Sequence, residues 1–301
     1  MKLANLLALT VAPFALFAAN PALADNHAAP AAAPAGNGPA MWKVADQDTT
    51  IYLFGTVHVL PKDVVWYDAA IDKALQSSDV LVTEIPMDAA AEAQMQQLTM
   101  QKGMLPAGTT LRSLLTPEQT AVYGAAMAKI GAPAEAFDPF KPWMAGLTFT
   151  IVPLMQQGYD LNSGVEKVLL TKVPGKATGA LETAEFQLGI FDGMPREAQV
   201  TFMLEAAEGM SEAAPMLNRM VAEWVKGDAN QLAAVMNEGM TDPAVAEALL
   251  YKRNANWAEW IDTRLDTPGT VFIAVGAGHL AGAKSVQDYL AEKGITVTRV
   301  K

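Results

Sequence analysis

The feature that most constrains this chain is a strand, helix, strand grammar that appears twice, once near each end of its apolar part. Near the start, Trp42-Lys43-Val44-Ala45 and Ile51-Tyr52-Leu53-Phe54 flank the turn-forming Asp46-Gln47-Asp48 and read as a hairpin. Gly55 ends its second strand. Apolar residues at helical spacing then run from Val64 to Ser77, and Val80-Leu81-Val82 is a short buried strand leading to Thr83 and Glu84. Near the end, Thr270 to Val275 is a strand closed by Gly276, followed by a helix over Ala283 to Lys293 and a last strand over Ile295 to Val300. Such crossovers normally make parallel neighbours in one sheet. Residues 88 to 268 between the two units are mostly helical, with breaks expected at Pro106, Pro117, Pro133, Pro139, Pro142, Pro195, Pro215 and Pro243, and with one strand near Lys176 to Leu181. The expected class is therefore α/β: a central mixed, largely parallel sheet flanked by helices, with a large, mainly helical middle segment.

The N-terminus has its own grammar. Lys2 precedes an uncharged run from Leu3 to Ala19, and Ala22-Leu23-Ala24 stands before Asp25, the plan of a cleavable secretory signal over residues 1–24. Residues 25–40, rich in Ala and Pro, lack apolar periodicity and read as a disordered linker that includes His27, which leaves 41–301 as a single domain. Export places the mature chain in the periplasm or outside the cell. The apolar stretch Trp143 to Met155 holds Gly146 and Pro153 and is too short to span a bilayer, so it reads as a buried helix and no stable membrane insertion is expected after cleavage. A net charge of −11, from 21 basic and 32 acidic residues, argues against nucleic acid as a partner. The absence of cysteine excludes disulfides, thiolate metal ligands and a cysteine nucleophile.

The only two histidines beyond the linker share one setting. Gly55-Thr56-Val57-His58 follows one strand and Gly276-Ala277-Gly278-His279 follows another. In open α/β sheets, residues just past the carboxyl ends of parallel strands converge on the edge where ligands bind. Glu84 and Glu182 also follow strands, so two imidazoles and two carboxylates can meet there, and two His with a carboxylate is a common catalytic metal set. His-Glu-x-x-His, Gly-x-Ser-x-Gly and phosphate-cradling motifs are absent. Gly276-x-Gly278-x-x-Ala281 fits a loose dinucleotide fingerprint, but no acidic ribose ligand follows it.

The paired Gly-x-x-His motifs, Leu81-Val82-Thr83-Glu84-Ile85-Pro86, Leu181-Glu182-Thr183 with Gln187, and Arg253-Asn254-Ala255-Asn256-Trp257 resemble, in order, the TraB/GumN family over residues 41 to 301. The resemblance implies a fold related to the erythromycin-esterase and ChaN-like group, with two pseudo-repeated halves building one sheet. Through the Tiki branch, regarded as metal-dependent proteases, it also implies a divalent ion (Mn, Co or Zn). Carried onto this sequence, His58, Glu84 and His279 become candidate metal ligands, and Arg253 and Asn254 join the same pocket. Relatives often show Gly-Val-Asp where this chain has Gly164-Val165-Glu166, and Glu166 is left outside the expected metal shell.

The leading expectation is an exported metal-dependent hydrolase acting on a peptide or another small substrate. His58, His279 and Glu84 would hold the ion, Glu182 would serve as general base or orienting residue, and Arg253 would bind a substrate carboxylate or a developing oxyanion. Two alternatives stand beside it: a non-catalytic periplasmic metal- or haem-binding protein, and a scaffold in envelope or exopolysaccharide assembly. The oligomeric state is left open.

Overall fold

The computed structural model describes residues 38–240 and 243–301, so the expected leader and most of the linker, including His27, lie outside the described residues. The fold is mixed α/β. A six-stranded sheet contains β1 (Met41–Ala45), β2 (Thr49–Thr56), β4 (Val80–Thr83), β6 (Ala177–Ala180), β7 (Gly269–Gly276) and β8 (Val297–Arg299) in the order β6-β4-β7-β2-β1-β8. The pairs β6–β4, β4–β7 and β7–β2 are parallel, whereas β2–β1 and β1–β8 are antiparallel. The expected hairpin is present, with Val44 opposite Ile51 and the Asp46 carboxylate accepting the Thr49 amide at its turn.

The crossovers do not join neighbours, which corrects the simple expectation. β7 inserts between β2 and β4 and lengthens the parallel run, while β8 passes two strands beyond β7 to the far edge. The first helix, α1 (Ala69–Ser77), starts later than its apolar spacing suggests, because the Asp68 carboxylate caps it by accepting the Ala70 and Ile71 amides. A two-residue pairing of β3 (Leu60–Pro61) with β5 (Tyr159–Asp160) escaped the sequence pattern.

Alternation along the strands sorts the core onto two faces. Phe54, Leu81 and Phe272 pack against α1, α5 (Val165–Lys172), α7 (Arg196–Lys226) and α8 (Ala229–Asn237). Leu53, Val82 and Ile273 pack on the other side against Trp257 and Ile261 of α9 (Lys252–Leu265) and Leu290 of α10 (Val286–Glu292). The middle segment adds α2 (Ala89–Gly103), α3 (Pro117–Lys129), α4 (Pro142–Gln156) and α6 (Ala184–Asp192). As expected, α4 is a core helix: Trp143, Met144, Ala145, Leu147 and Phe149 are all buried. It lies so close to α7 that a Cβ on Gly146 would meet the Phe202 ring at 2.6 Å. Pro215 is not a break, for α7 runs through it. Among the described residues no helix is long and apolar enough to cross a membrane.

Candidate active site

Each of the four parallel strands delivers one polar side chain just beyond its carboxyl end: Glu182 after β6, Glu84 after β4, His279 in the 3-10 turn Ala277–Leu280 after β7, and His58 after β2. The ladder continues past β4 and β6, where the Glu182 amide donates to the Glu84 carbonyl at 2.7 Å. The sheet order thus sets the order of the site. His58, Glu84 and His279 are 1%, 2% and 0% exposed, and Glu182 is half-buried.

Glu84 is the centre. Its Oε1 accepts the Gly276 amide at 2.8 Å and lies 3.8 Å from Nε2 of both His58 and His279. Its Oε2 accepts Arg253 Nη2 at 2.5 Å and Gln187 Nε2 at 2.9 Å. The imidazoles are turned toward Glu84 from behind. Glu166 Oε1 sits 2.6 Å from His58 Nδ1 and also accepts the Thr56 hydroxyl, so a neutral His58 carries its proton on Nδ1 and presents the Nε2 lone pair, which is buried with no hydrogen-bond partner. On His279, Nδ1 lies 2.6 Å from Asn254 Oδ1, and Asn254 Nδ2 donates to the Lys284 carbonyl at 2.8 Å, which fixes the amide's orientation and leaves Nε2 as the acceptor here too.

Helix geometry brings the other members in. Before α9 the chain makes a π-turn over Glu247–Tyr251, in which the Lys252 amide reaches back to the Glu247 carbonyl. Such wide turns are frequent at functional sites. Arg253 and Asn254 then occupy the buried stripe of α9 together with Trp257, Ala258 and Ile261. The Arg253 side chain donates through Nη1 to the Leu249 carbonyl at 3.0 Å, and through Nε and Nη2 to both oxygens of Glu182 at 2.8 and 2.9 Å. Nη1 also lies 3.1 Å from His279 Nε2. Trp257 donates to Glu182 at 3.0 Å, and its ring lies 4.3 Å from that of His279, centroid to centroid.

These contacts set the electrostatics. Burial pulls the His58 imidazole down, but the charge and hydrogen bond of Glu166, with Glu84 behind them, outweigh it and hold its pKa above 6.5. Burial pushes Glu166 up, yet His58 and the Thr56 hydroxyl bring it below 4.5. Burial disfavours the Arg253 charge, and Glu84 and Glu182 more than restore it.

The structure gathers His58, Glu84, Glu182, Arg253, Asn254 and His279 at one end of the sheet. It also adds Glu166, which the sequence reading set aside and which here binds His58. The signal for it was steric as much as chemical: a Cβ on Gly164 would lie 2.2 Å from the His58 carbonyl oxygen, and the Val165 amide donates to the Val57 carbonyl at 3.0 Å, so Gly164-Val165-Glu166 is built against the His58 loop. Among the described residues no three His, Asp or Glu side chains already close on a common point as around an ion. The donor set still suits one. Two imidazole lone pairs face one carboxylate oxygen, each with its other ring nitrogen held by an acceptor, the usual support of a ligating histidine.

No curated protein and no solved structure matches this chain. The model of the TraB/PrgY/gumN family matches residues 40–299, and the chain accordingly belongs to the TraB/PrgY/gumN family.

Proposed function

We propose that this protein is an exported hydrolase that depends on a divalent ion (Mn, Co or Zn) and acts on peptides. The observation that carries this reading is the placement of both histidine Nε2 atoms 3.8 Å from the same Glu84 oxygen, with both Nδ1 atoms tied back. Two ligands each about 2 Å from one ion can stand at such a separation. Charge points the same way. Glu84 and Glu182 share the single guanidinium of Arg253 while Glu166 pairs with His58, and buried carboxylates in excess of their cations are costly. His58, His279 and Glu84 would hold the ion, which supplies Lewis acidity and activates water near neutral pH.

The chain's own residues do the rest. Glu166 and Asn254 fix the two imidazoles; Gln187, Arg253 and the Gly276 amide fix Glu84. Glu182, more exposed than its neighbours and held by Arg253, Trp257 and Gln187, would take a proton from an attacking water. Burial keeps bulk water away and strengthens each charge interaction. The leader read in the sequence supports export.

A second reading draws on that same burial: a non-catalytic binder or scaffold, in which the network serves the fold alone. Calorimetric titration of Mn, Zn and Co into the chelator-stripped protein and its His58→Ala variant separates the two. Binding by the wild type that disappears in a folded variant, joined by metal-dependent cleavage of a peptide library, supports the hydrolase. Binding without cleavage identifies the non-catalytic binder, and no binding at all leaves the scaffold.

A further inference from the structure

We propose that Arg253 is the resident cation of the metal-free site and occupies the His279 lone pair that the ion takes, so that loading exchanges one hydrogen bond while the rest of the guanidinium stays in place. This rests on the metal-binding reading above. Asn254, fixed by Lys284, makes His279 Nε2 an acceptor, and the group facing that acceptor at 3.1 Å is Arg253 Nη1. An ion bound to His279 needs the same lone pair. His58 Nε2 meets no protein donor, so the two histidines are inequivalent: a guanidinium faces one and not the other.

The other bonds of the guanidinium define what does not change. Nε and Nη2 remain on Glu182, Nη2 remains on the Glu84 oxygen turned away from the histidines, and Nη1 keeps the Leu249 carbonyl. Five directed donors on a planar group make this division possible. Arg253 therefore serves as a positioning residue that neutralises Glu84 and Glu182 in both states and sets the free-energy cost of loading in one of them.

The test replaces the fork by a point charge. Arg253→Lys keeps a cation beside Glu84 and Glu182, but one ammonium on a shorter reach does not also hold His279. Mn, Zn and Co are titrated into wild type, Arg253→Lys and Arg253→Met, with melting temperature followed in each metal-free form. Loss of one hydrogen bond to a charged donor predicts that Arg253→Lys binds metal about tenfold or more tightly than wild type. Its metal-free form should melt lower and recover with metal. Wild-type affinity in Arg253→Lys overturns the proposal even if Arg253→Met binds more tightly, because the effect is then one of charge alone. Failure of all three proteins to bind removes the metal reading and the proposal with it, whereas binding by Arg253→Lys alone supports both.

Nitrogen NMR of the wild type needs no variant to fold. On loading, the Arg253 Nη1 and His279 Nε2 resonances should move while Arg253 Nε, still on Glu182, does not. Movement of Nε together with Nη1, or of neither, overturns the exchange.

Discussion

His58 and Glu166 form the buried pair whose pH response follows most directly from its geometry. His58 titrates above 6.5 in the folded protein, so its contribution to stability is complete below that value and is lost as pH rises through the raised one. Glu166 titrates below 4.5, so its contribution is present above that value and is lost as pH falls through the lowered one. The metal-free protein should therefore melt highest between the two and progressively lower as pH climbs past about 6.5. Glu166→Gln keeps an oxygen for His58 Nδ1 but removes the charge that raises it. Melting curves from pH 4 to 9 should show a shallower alkaline decline in this variant, together with a loss of about 1–3 kcal/mol at pH 6 from the weakened buried contact. Equal alkaline slopes in the two proteins would mean that Glu166 does not set the His58 titration. The sequence showed His58 plainly, through its glycine and its strand. It marked Glu166 but could not show that it meets His58, because nothing in a local pattern tells a helix-start carboxylate in water from one folded 108 positions away onto a histidine.

At the scale of elements, the turn Gly164-Val165-Glu166 at the start of α5 is the joint between the middle segment and the sheet edge. The missing Cβ at Gly164 faces backbone, the His58 carbonyl at 2.2 Å, and backbone cannot yield as the tip of a side chain can. Gly164→Ala should cost about 1–3 kcal/mol in denaturant unfolding, the range for overpacking a tight contact. It should also weaken metal binding by shifting the His58 loop, whereas Gly158→Ala, where no atom lies near the added Cβ, offers a comparison in which only the positive φ of that glycine is strained. Full retention of metal affinity in Gly164→Ala would show that the joint does not position His58. The elements themselves were largely legible: the hairpin, β4, β7 and the buried helix α4 follow from alternation and apolar runs. Two kinds of feature were not. The late start of α1 depends on one Asp68 cap overriding an apolar spacing that includes Val65, which is 84% exposed. The π-turn that turns Arg253 inward leaves no mark on residue type, because it is a matter of one extra residue per turn.

At the scale of the molecule, the order β6-β4-β7-β2 is what makes a site from four separate strand ends, and it is the part that local sequence could least supply. A strand, helix, strand unit says that two strands run the same way; whether a third enters between them depends on which apolar faces fit, and β7 fills the single gap by pairing with both β2 and β4. The site so assembled is buried, and α2 ties together two of the helices that hold it. It bridges α5 and α6, the helices that carry Glu166 and Gln187, through the surface ion pairs Glu92–Lys167 at 3.5 Å and Lys102–Glu185 at 3.0 Å. Along its 15 residues only Met95, Thr99 and Gly103 are buried. Surface ion pairs contribute about 0–1 kcal/mol each, and elements with few buried contacts open first. Amide hydrogen exchange on the metal-free protein should accordingly find α2 exchanging far faster than β2, β7 and α4, and raising the salt concentration should speed α2 further while leaving the sheet unchanged. If α2 were instead protected to the same degree as β7, opening would require global unfolding. A peptide would then have no route to His58, Glu84 and His279 on this side, and the buried network would be better understood as a binder of a small ion than as the centre of a peptidase.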